Sequence, residues 1–140
     1  MKRVWFCGLT LLTLAACQGG PDQRPAPLAP LPEKVQPLPY GRLLERARSQ
    51  ARAANEAFYV DNWNDLEESA RGLEQIAQYL VVAEDKPPKH RDTMVTMSAD
   101  LGKYARSLRE AAAAKDVKKT TELLTRIQMV VREMRLGDGS

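Results

Sequence analysis

Proline divides the chain into segments that can and cannot form regular helices. Seven of the nine prolines lie between residues 21 and 39, and the other two are Pro87 and Pro88. Because proline lacks a backbone N–H and blocks a helix interior, residues 18–39 are predicted to form an extended, semi-rigid spacer. At about 3 Å per residue, this spacer would hold a following domain tens of ångströms from its attachment point.

From Tyr40 onward, apolar residues recur three and four positions apart, which is typical of amphipathic helices. Asn62 or Asp61, and later Asp116, suit helix N-caps, whereas Gly137 suits a helix stop. No segment alternates as a strand would. The positions expected inside are Tyr40, Leu43, Leu44, Ala47, Ala51, Ala54 and Phe58, then Leu66, Ala70, Leu73, Ile76 or Ala77, Leu80 and Ala83, then Met94, Met97, Leu101, Tyr104, Leu108 and Ala112, and last Val117, Thr120, Leu124, Ile127, Val131 and Met134.

These four segments predict an all-α fold. Their short connections make neighbouring helices antiparallel, so we expect an up-down-up-down four-helix bundle over residues 40–136, with 137–140 as a C-terminal tail. Opposite charges four residues apart are expected to pair on the exposed faces, each contributing about 0.2–0.5 kcal/mol. The expected pairs are Glu67/Arg71, Arg106/Glu110 and Glu122/Arg126.

The first sixteen residues have the pattern of a secretory signal peptide. Lys2 and Arg3 form a short positive region, and a mostly apolar run follows over residues 4–16. That run is shorter than the roughly 20 residues that a membrane-spanning helix needs. We therefore assign residues 1–16 to a signal peptide and residues 17–39 to the tether of the mature chain.

The apolar run ends in Leu14, Ala15, Ala16 and Cys17, which resembles the lipobox of bacterial lipoproteins. The resemblance implies cleavage before Cys17, acylation of that cysteine with chains such as palmitate, and anchoring of the protein in the membrane. Gln18 differs from the retention-type aspartate of such proteins, which favours the outer membrane and a domain facing the periplasm. The alternative is an ordinary secreted protein whose signal peptide ends near a cysteine.

Cysteine use limits the chemistry of the mature chain. Cys7 lies inside the signal peptide and Cys17 would carry lipid, so no thiol is left for a disulfide, a metal site or a nucleophile. The formal net charge of +3 falls to +1 when the two positive residues Lys2 and Arg3 are removed. This near-neutral balance argues against nucleic acid as a partner.

The last third of the chain resembles the end of a cytochrome c-prime-type bundle. An alanine-rich helix end and a Lys-Asp turn over residues 111–116 precede a final helix with Leu123 and Leu124, and Trp63 opens the second helix similarly. In that family the final helix bears Cys-x-x-Cys-His, then an aromatic residue and an arginine. Those positions fall here on Ile127, Val130, Val131, Met134 and Arg135.

The positions that carry haem in that family are aliphatic here. Covalent attachment needs two thiols and axial ligation in this helix needs an imidazole, so the resemblance implies a haem-less bundle without a resident cofactor. An empty haem-sized void of roughly 400 Å³, at about 24 cal/mol per Å³, would cost on the order of 10 kcal/mol. That rivals the whole stability of a small domain, so we expect a packed interior.

His90 is the only histidine and lies in the basic run 86–91. It has no nucleophile beside it and no second histidine at helical spacing, so we expect a solvated loop residue. The alternative is that His90 contacts phosphate or lipid headgroups. Glu67, Glu68 and Glu74 do not form the Glu-x-x-His pattern of di-iron bundles. We identify no catalytic residues and no metal site.

The sequence thus predicts a non-enzymatic binding or structural module, attached to the membrane by lipid, with an envelope protein as its possible partner. The alternative is a non-covalent haem protein for electron transfer or gas binding. Its ligands would come from Met94, Met97, Met129 and His90, although Met94 and Met97 lie at core spacing, where methionine more often serves packing.

Overall fold

The computed structural model describes residues 38–86 and 88–137, and it describes side-chain burial as far as residue 135. No strand occurs within this part of the chain, so the predicted all-α fold is confirmed. The elements are α1 (Tyr40–Tyr59), α2 (Trp63–Val82), a short 3-10 helix (Pro88–His90), α3 (Arg91–Ala113) and α4 (Val117–Gly137).

The four helices pack as a ring. α2 contacts α1 and α3, and α4 contacts α3 and α1, which closes the bundle. The α2–α3 pair is the most extensively packed and the α1–α4 pair the least. The up-down-up-down order stays a prediction, favoured by short links at residues 60–62 and 114–116. In the described ranges, no helix has both the length and the apolar character needed to cross a membrane.

One hydrophobic core joins all four helices. Every interior position predicted for α2 is buried, including Leu66, Leu73 and Leu80, which are fully enclosed. The prediction was wrong for Val117, which is 58% exposed because it is the first residue of α4 and lies at the end of the bundle. The predicted interior residues that are only partly buried, though packed on the core, are Phe58, Met97 and Tyr104.

Helix starts follow the predicted caps. The Asn62 side chain accepts the backbone N–H of Asp65 at 3.2 Å and donates to its carboxylate at 2.7 Å. At the start of α4, the Asp116 carboxylate accepts the backbone N–H of Lys119 at 3.0 Å. Each side chain satisfies an N–H that has no partner within its helix, so both predicted N-caps are confirmed.

The two short links share one turn geometry. At the end of α3, the backbone N–H of Asp116 donates to the Ala111 carbonyl at 2.9 Å, and that of Lys115 donates to the Ala112 carbonyl at 3.0 Å. Lys115 has a left-handed φ of 53°, and Asp61 has a φ of 56° in the same arrangement after α1. This pattern is a Schellman motif, in which glycine usually occupies the left-handed position.

One predicted ion pair is wrong. Glu67/Arg71 and Glu122/Arg126 form as expected, at 3.6 and 2.8 Å. Arg106 instead reaches across to Glu74 of α2 at 2.9 Å. Glu74 is only 15% exposed and also lies 3.3 Å from another α3 arginine, so it offers a less solvated carboxylate than the exposed Glu110.

Candidate functional site

The predicted lipidation site cannot be placed in the bundle. Cys17, its lipobox residues Leu14, Ala15 and Ala16, the signal peptide and the proline-rich tether all lie outside the described residues. They enter below as a proposal only.

The degenerate haem positions form the inner face of α4. Ile127 and Met134 are fully enclosed, Val131 is 5% exposed, and Val130 is half-buried against the core. Arg135 is exposed in the last turn of α4. The helix face that would carry haem in the cytochrome c-prime family therefore packs into this bundle's core.

The alternative haem ligands occupy dissimilar environments. Met94 is enclosed, and its sulfur accepts the buried Tyr40 hydroxyl at 2.9 Å. Met129 is 48% exposed on α4, and Met97 is half-buried. His90 is half-buried at the residue that precedes α3. Within residues 38–86 and 88–137, no group of three or more His, Cys, Asp or Glu residues could hold a metal ion.

A basic groove, which we name the arginine groove, lies between α1 and α4, the most loosely packed helix pair. Its volume is about 430 Å³. Buried Ala51 and Val131 line its base, because these side chains also belong to the core. Arginines from both helices line its sides together with two amides: Arg48, Arg52 and Asn55 from α1, and Gln128, Arg132 and Arg135 from α4.

Helix periodicity places the arginines in the groove. Arg48 and Arg52 are four residues apart on α1, and Arg132 and Arg135 are three apart on α4, so each pair shares one face of its helix. The small side chain of Ala51, between the first two, lets the groove extend down to the core. Two arginines from each of two separate helices thus line the same space.

The groove carries uncompensated positive charge. In the described part of the chain, none of its four arginines forms an ion pair. Glu45, which borders the same arginines on the outer side of α1, pairs with Arg42 at 3.3 Å. Like charges three or four residues apart destabilise a helix by about 0.2–0.5 kcal/mol per pair. Within the described residues, four like charges thus line one groove without an ion pair among them.

Arginines on several other surfaces form ion pairs. Arg71 pairs with Glu67 and Glu68, and Glu74 pairs with two α3 arginines. A larger concavity, of about 760 Å³, lies over α4, but one helix alone lines it. There Arg126 pairs with Glu122 and lies 5.8 Å from the Tyr104 ring. The arginines of these surfaces have acidic partners, whereas none of the four groove arginines pairs with a described residue, so the arginine groove is the candidate for binding.

Sequence reasoning identified only part of this site. It selected Val131 and Arg135 for their resemblance to a haem motif, it placed Ala51 inside the bundle, and it missed the other lining residues. One signal was present: Arg132 has no acidic residue three or four positions away on its helix. The sequence could not show that the arginines of α1 lie beside Arg132, because the packing of α1 against α4 is a tertiary contact.

Comparisons of this chain with protein-family models, with curated proteins and with solved structures find no match.

Proposed function

We propose that this chain is a lipoprotein of the cell envelope, whose haem-less, cytochrome c-prime-like bundle is a non-enzymatic module that binds an anionic ligand. The lipobox ending at Cys17 supports the anchor. The enclosed aliphatic side chains at 127 and 131 support the haem-less interior. The observation that carries the binding function is the arginine groove, which is lined by four arginines from two helices, none of them in an ion pair with another described residue.

The chemistry of the groove suits binding and not turnover. A guanidinium group stays protonated throughout the physiological pH range, so arginine does not exchange protons as a general acid or base. It donates up to five hydrogen bonds in a fixed planar fork, which matches carboxylate and phosphate oxygens. Four such groups hold an anion and neutralise it, and a catalytic proton donor or nucleophile is not needed for that role.

The anchor gives this binding a location. The tether leads into α1 at Tyr40, and Arg48 lies eight residues further along, about 12 Å at the helical rise. Acylation of Cys17 would thus tether the groove to the membrane, at most tens of ångströms from its surface, facing the periplasm and, following Gln18, on the outer membrane. The partner class is then an anionic component of the envelope.

The anchor is tested by acyl labelling in a bacterial host. Cells expressing the full chain are given a palmitate analogue, and the protein is recovered and its label measured. We expect label on the wild type and on C7S, which changes the cysteine of the signal peptide, but none on C17S. Equal labelling of C7S and C17S, or labelling of neither the wild type nor C7S, would remove the lipoprotein part of the proposal.

The binding function is tested by calorimetric titration of the full chain, purified in an uncharged detergent, with pyrophosphate and separately with a poly-glutamate peptide. We expect saturable binding of at least one of them by the wild type. Replacing all four groove arginines by glutamine should abolish it. The matched control removes the same charge from exposed lysines outside the groove: K103Q, K115Q, K118Q and K119Q.

Two results would contradict the binding function. If neither anion binds the wild type, the groove is not an anion site. Equal weakening in the arginine variant and the lysine control would mean that net charge alone attracts the anion. Circular dichroism of each variant establishes that the helices are intact before the titrations are compared.

A further inference from the structure

We propose that the ligand of the arginine groove carries two phosphate groups, bound between the arginines of α1 and those of α4. This inference rests on the proposed anion-binding function and narrows it to one chemical class. Three properties of the groove support it: its charge, its size and the nature of its base.

The charge of the groove matches two phosphates. Four arginines contribute four positive charges, and no acid in the described residues pairs with them. A phosphate monoester carries about −1.5 to −2 charges at pH 7, with three strong acceptor oxygens. Two such groups neutralise the groove, whereas four separate carboxylates would be needed for the same effect. The density of positive charge therefore favours phosphate over carboxylate.

The size of the groove suits a small molecule or a headgroup. Its volume of about 430 Å³ falls within the roughly 300–1,000 Å³ of small-molecule sites. Its lining spans residues 48–55 of α1, about 10 Å or two helical turns. Stable protein–protein interfaces bury about 800 Å² on each partner. A two-turn groove is short for a partner helix but long enough for two phosphates on one molecule.

The base of the groove also disfavours a partner helix as the ligand. A docked amphipathic helix needs a broad apolar stripe to bury its own apolar residues. Here the base consists of Ala51 and Val131, each only 5% exposed, so these two side chains offer little apolar surface to a partner helix. The other lining residues are four arginines, whose methylene groups add apolar surface, and two amides, of which Gln128 adds a neutral donor. Such a surface suits a highly charged ligand better than the apolar face of a helix.

Two sources could supply this chemistry, a phosphorylated lipid headgroup or a soluble phosphorylated compound. The full chain in uncharged detergent is therefore titrated with a hexose bisphosphate, with inorganic phosphate and with citrate, a polyvalent carboxylate. A second arm measures how much added phosphatidic acid increases binding to phosphatidylcholine vesicles, because the acyl anchor alone would bind vesicles of either composition. We expect the bisphosphate to bind at least tenfold more tightly than either small competitor.

Paired variants localise the ligand. R48Q/R52Q and R132Q/R135Q should each weaken bisphosphate binding by about tenfold or more, since each removes two donors of charge-assisted hydrogen bonds. The four-lysine control should bind as the wild type does. If the bisphosphate also removes the increase in vesicle binding that phosphatidic acid causes, the lipid headgroup is a ligand of the same groove. An increase that is absent or insensitive to the bisphosphate leaves the soluble compound as the source.

The results separate this inference from the broader function. Citrate binding as tightly as the bisphosphate would overturn the phosphate assignment and leave an anion-binding groove. Sensitivity to only one arginine pair would overturn the placement between the two helices. Failure of the bisphosphate, phosphatidic acid vesicles and inorganic phosphate together, with poly-glutamate still bound, would also overturn it, because the ligand would then be a carboxylate-bearing partner.

Discussion

Both carboxylate oxygens of Asp85 lie 2.8 Å from the backbone nitrogen of Tyr40, the first residue of α1. The residue before this helix is Pro39, which makes no side-chain cap, and the first turn of α1 holds no acidic residue. The loop after α2 therefore supplies the acceptor and the negative charge that favour a helix start. It also joins the end of the predicted tether to the α2–α3 connection.

We expect the loss of this contact to destabilise the bundle. D85A should lower the free energy of unfolding by about 1–2 kcal/mol, as loss of a helix cap does. D85N should lower it by less, because the amide oxygen still accepts a hydrogen bond although the charge is gone. E84A, at the exposed neighbouring residue, is the control. Urea unfolding measures all three, and equal stability of D85A and E84A would refute the capping role.

Lys86 makes the stability of the bundle depend on pH. It is buried, and its ammonium group donates to the carbonyls of Leu80, Val81 and Ala83 at the end of α2. Burial lowers the pKa of Lys86 from its ordinary 10.5, and the charge of Arg91 lowers it further, while Asp85 acts in the opposite direction. Between the lowered pKa and 10.5, the unfolded chain binds more protons than the folded one. Stability due to Lys86 therefore rises with pH in this window.

The comparison of wild type with K86M isolates this contribution. The difference in unfolding free energy, wild type minus K86M, should grow as the pH is raised from neutral toward 10.5. K86M should also be less stable at neutral pH, because three helix-end carbonyls lose their donor. K89M, which removes the charge of an exposed lysine of the same loop, is the control. If the difference in unfolding free energy between wild type and K86M shrinks as the pH rises, the pKa of Lys86 is not lowered in the folded protein.

Local patterns predicted much of this fold. The apolar stripes, the breaking prolines and the caps at Asn62 and Asp116 are each encoded within a few residues, and the helices begin close to where those residues indicate. Lys86 was missed because a lysine in a run of charges and prolines is typical of a solvated loop. Its burial depends on the path of the chain past the end of α2. The ion pair between Arg106 and Glu74 was missed for a similar reason, because the two residues lie on different helices.

Because the core is packed, we predict that the bundle does not bind haem. Ile127 and Val131 fill the positions that would face haem, and the Met94 sulfur already accepts a hydrogen bond from Tyr40. Opening a haem-sized space would cost on the order of 10 kcal/mol. Titration of the full chain with haemin should give no sharpened Soret band and no rise in melting temperature. A saturable Soret change that M94A abolishes would instead establish a haem site.

Gly72 marks a close approach of α2 to α1. A Cβ at this position would lie 2.8 Å from the side-chain nitrogen of Gln50, which is 2% exposed. G72A should therefore lower stability by about 1–3 kcal/mol, because overpacking outweighs the gain of about 1 kcal/mol in helix propensity. G102A is the control, since its Cβ would meet only the Ala77 methyl group at an ordinary 3.4 Å, and it should stabilise the protein.

A double-mutant cycle tests the cause of the G72A effect. Q50A removes the side chain that a Cβ at residue 72 would strike, so the double variant Q50A/G72A should be more stable than the sum of the two single effects predicts. The expected coupling is about 1 kcal/mol or more, within the range for residues in direct contact. Additive effects in urea unfolding would mean that Gln50 moves aside freely and that the close approach is not tight.

The left-handed residue Lys115 should gain stability from glycine. Its φ of 53° places the Cβ close to the following carbonyl, a conformation that costs an L-residue about 1 kcal/mol and glycine little. K115G should therefore raise the unfolding free energy by about 0.5–1 kcal/mol. K103G removes the same charge from the middle of α3, where glycine should lower stability by about 1 kcal/mol. K115A removes the charge but keeps the Cβ, so it should match the wild type. Thermal and urea unfolding of the three variants distinguish these effects, and a gain shared by K115G and K115A would assign it to charge and not to the backbone.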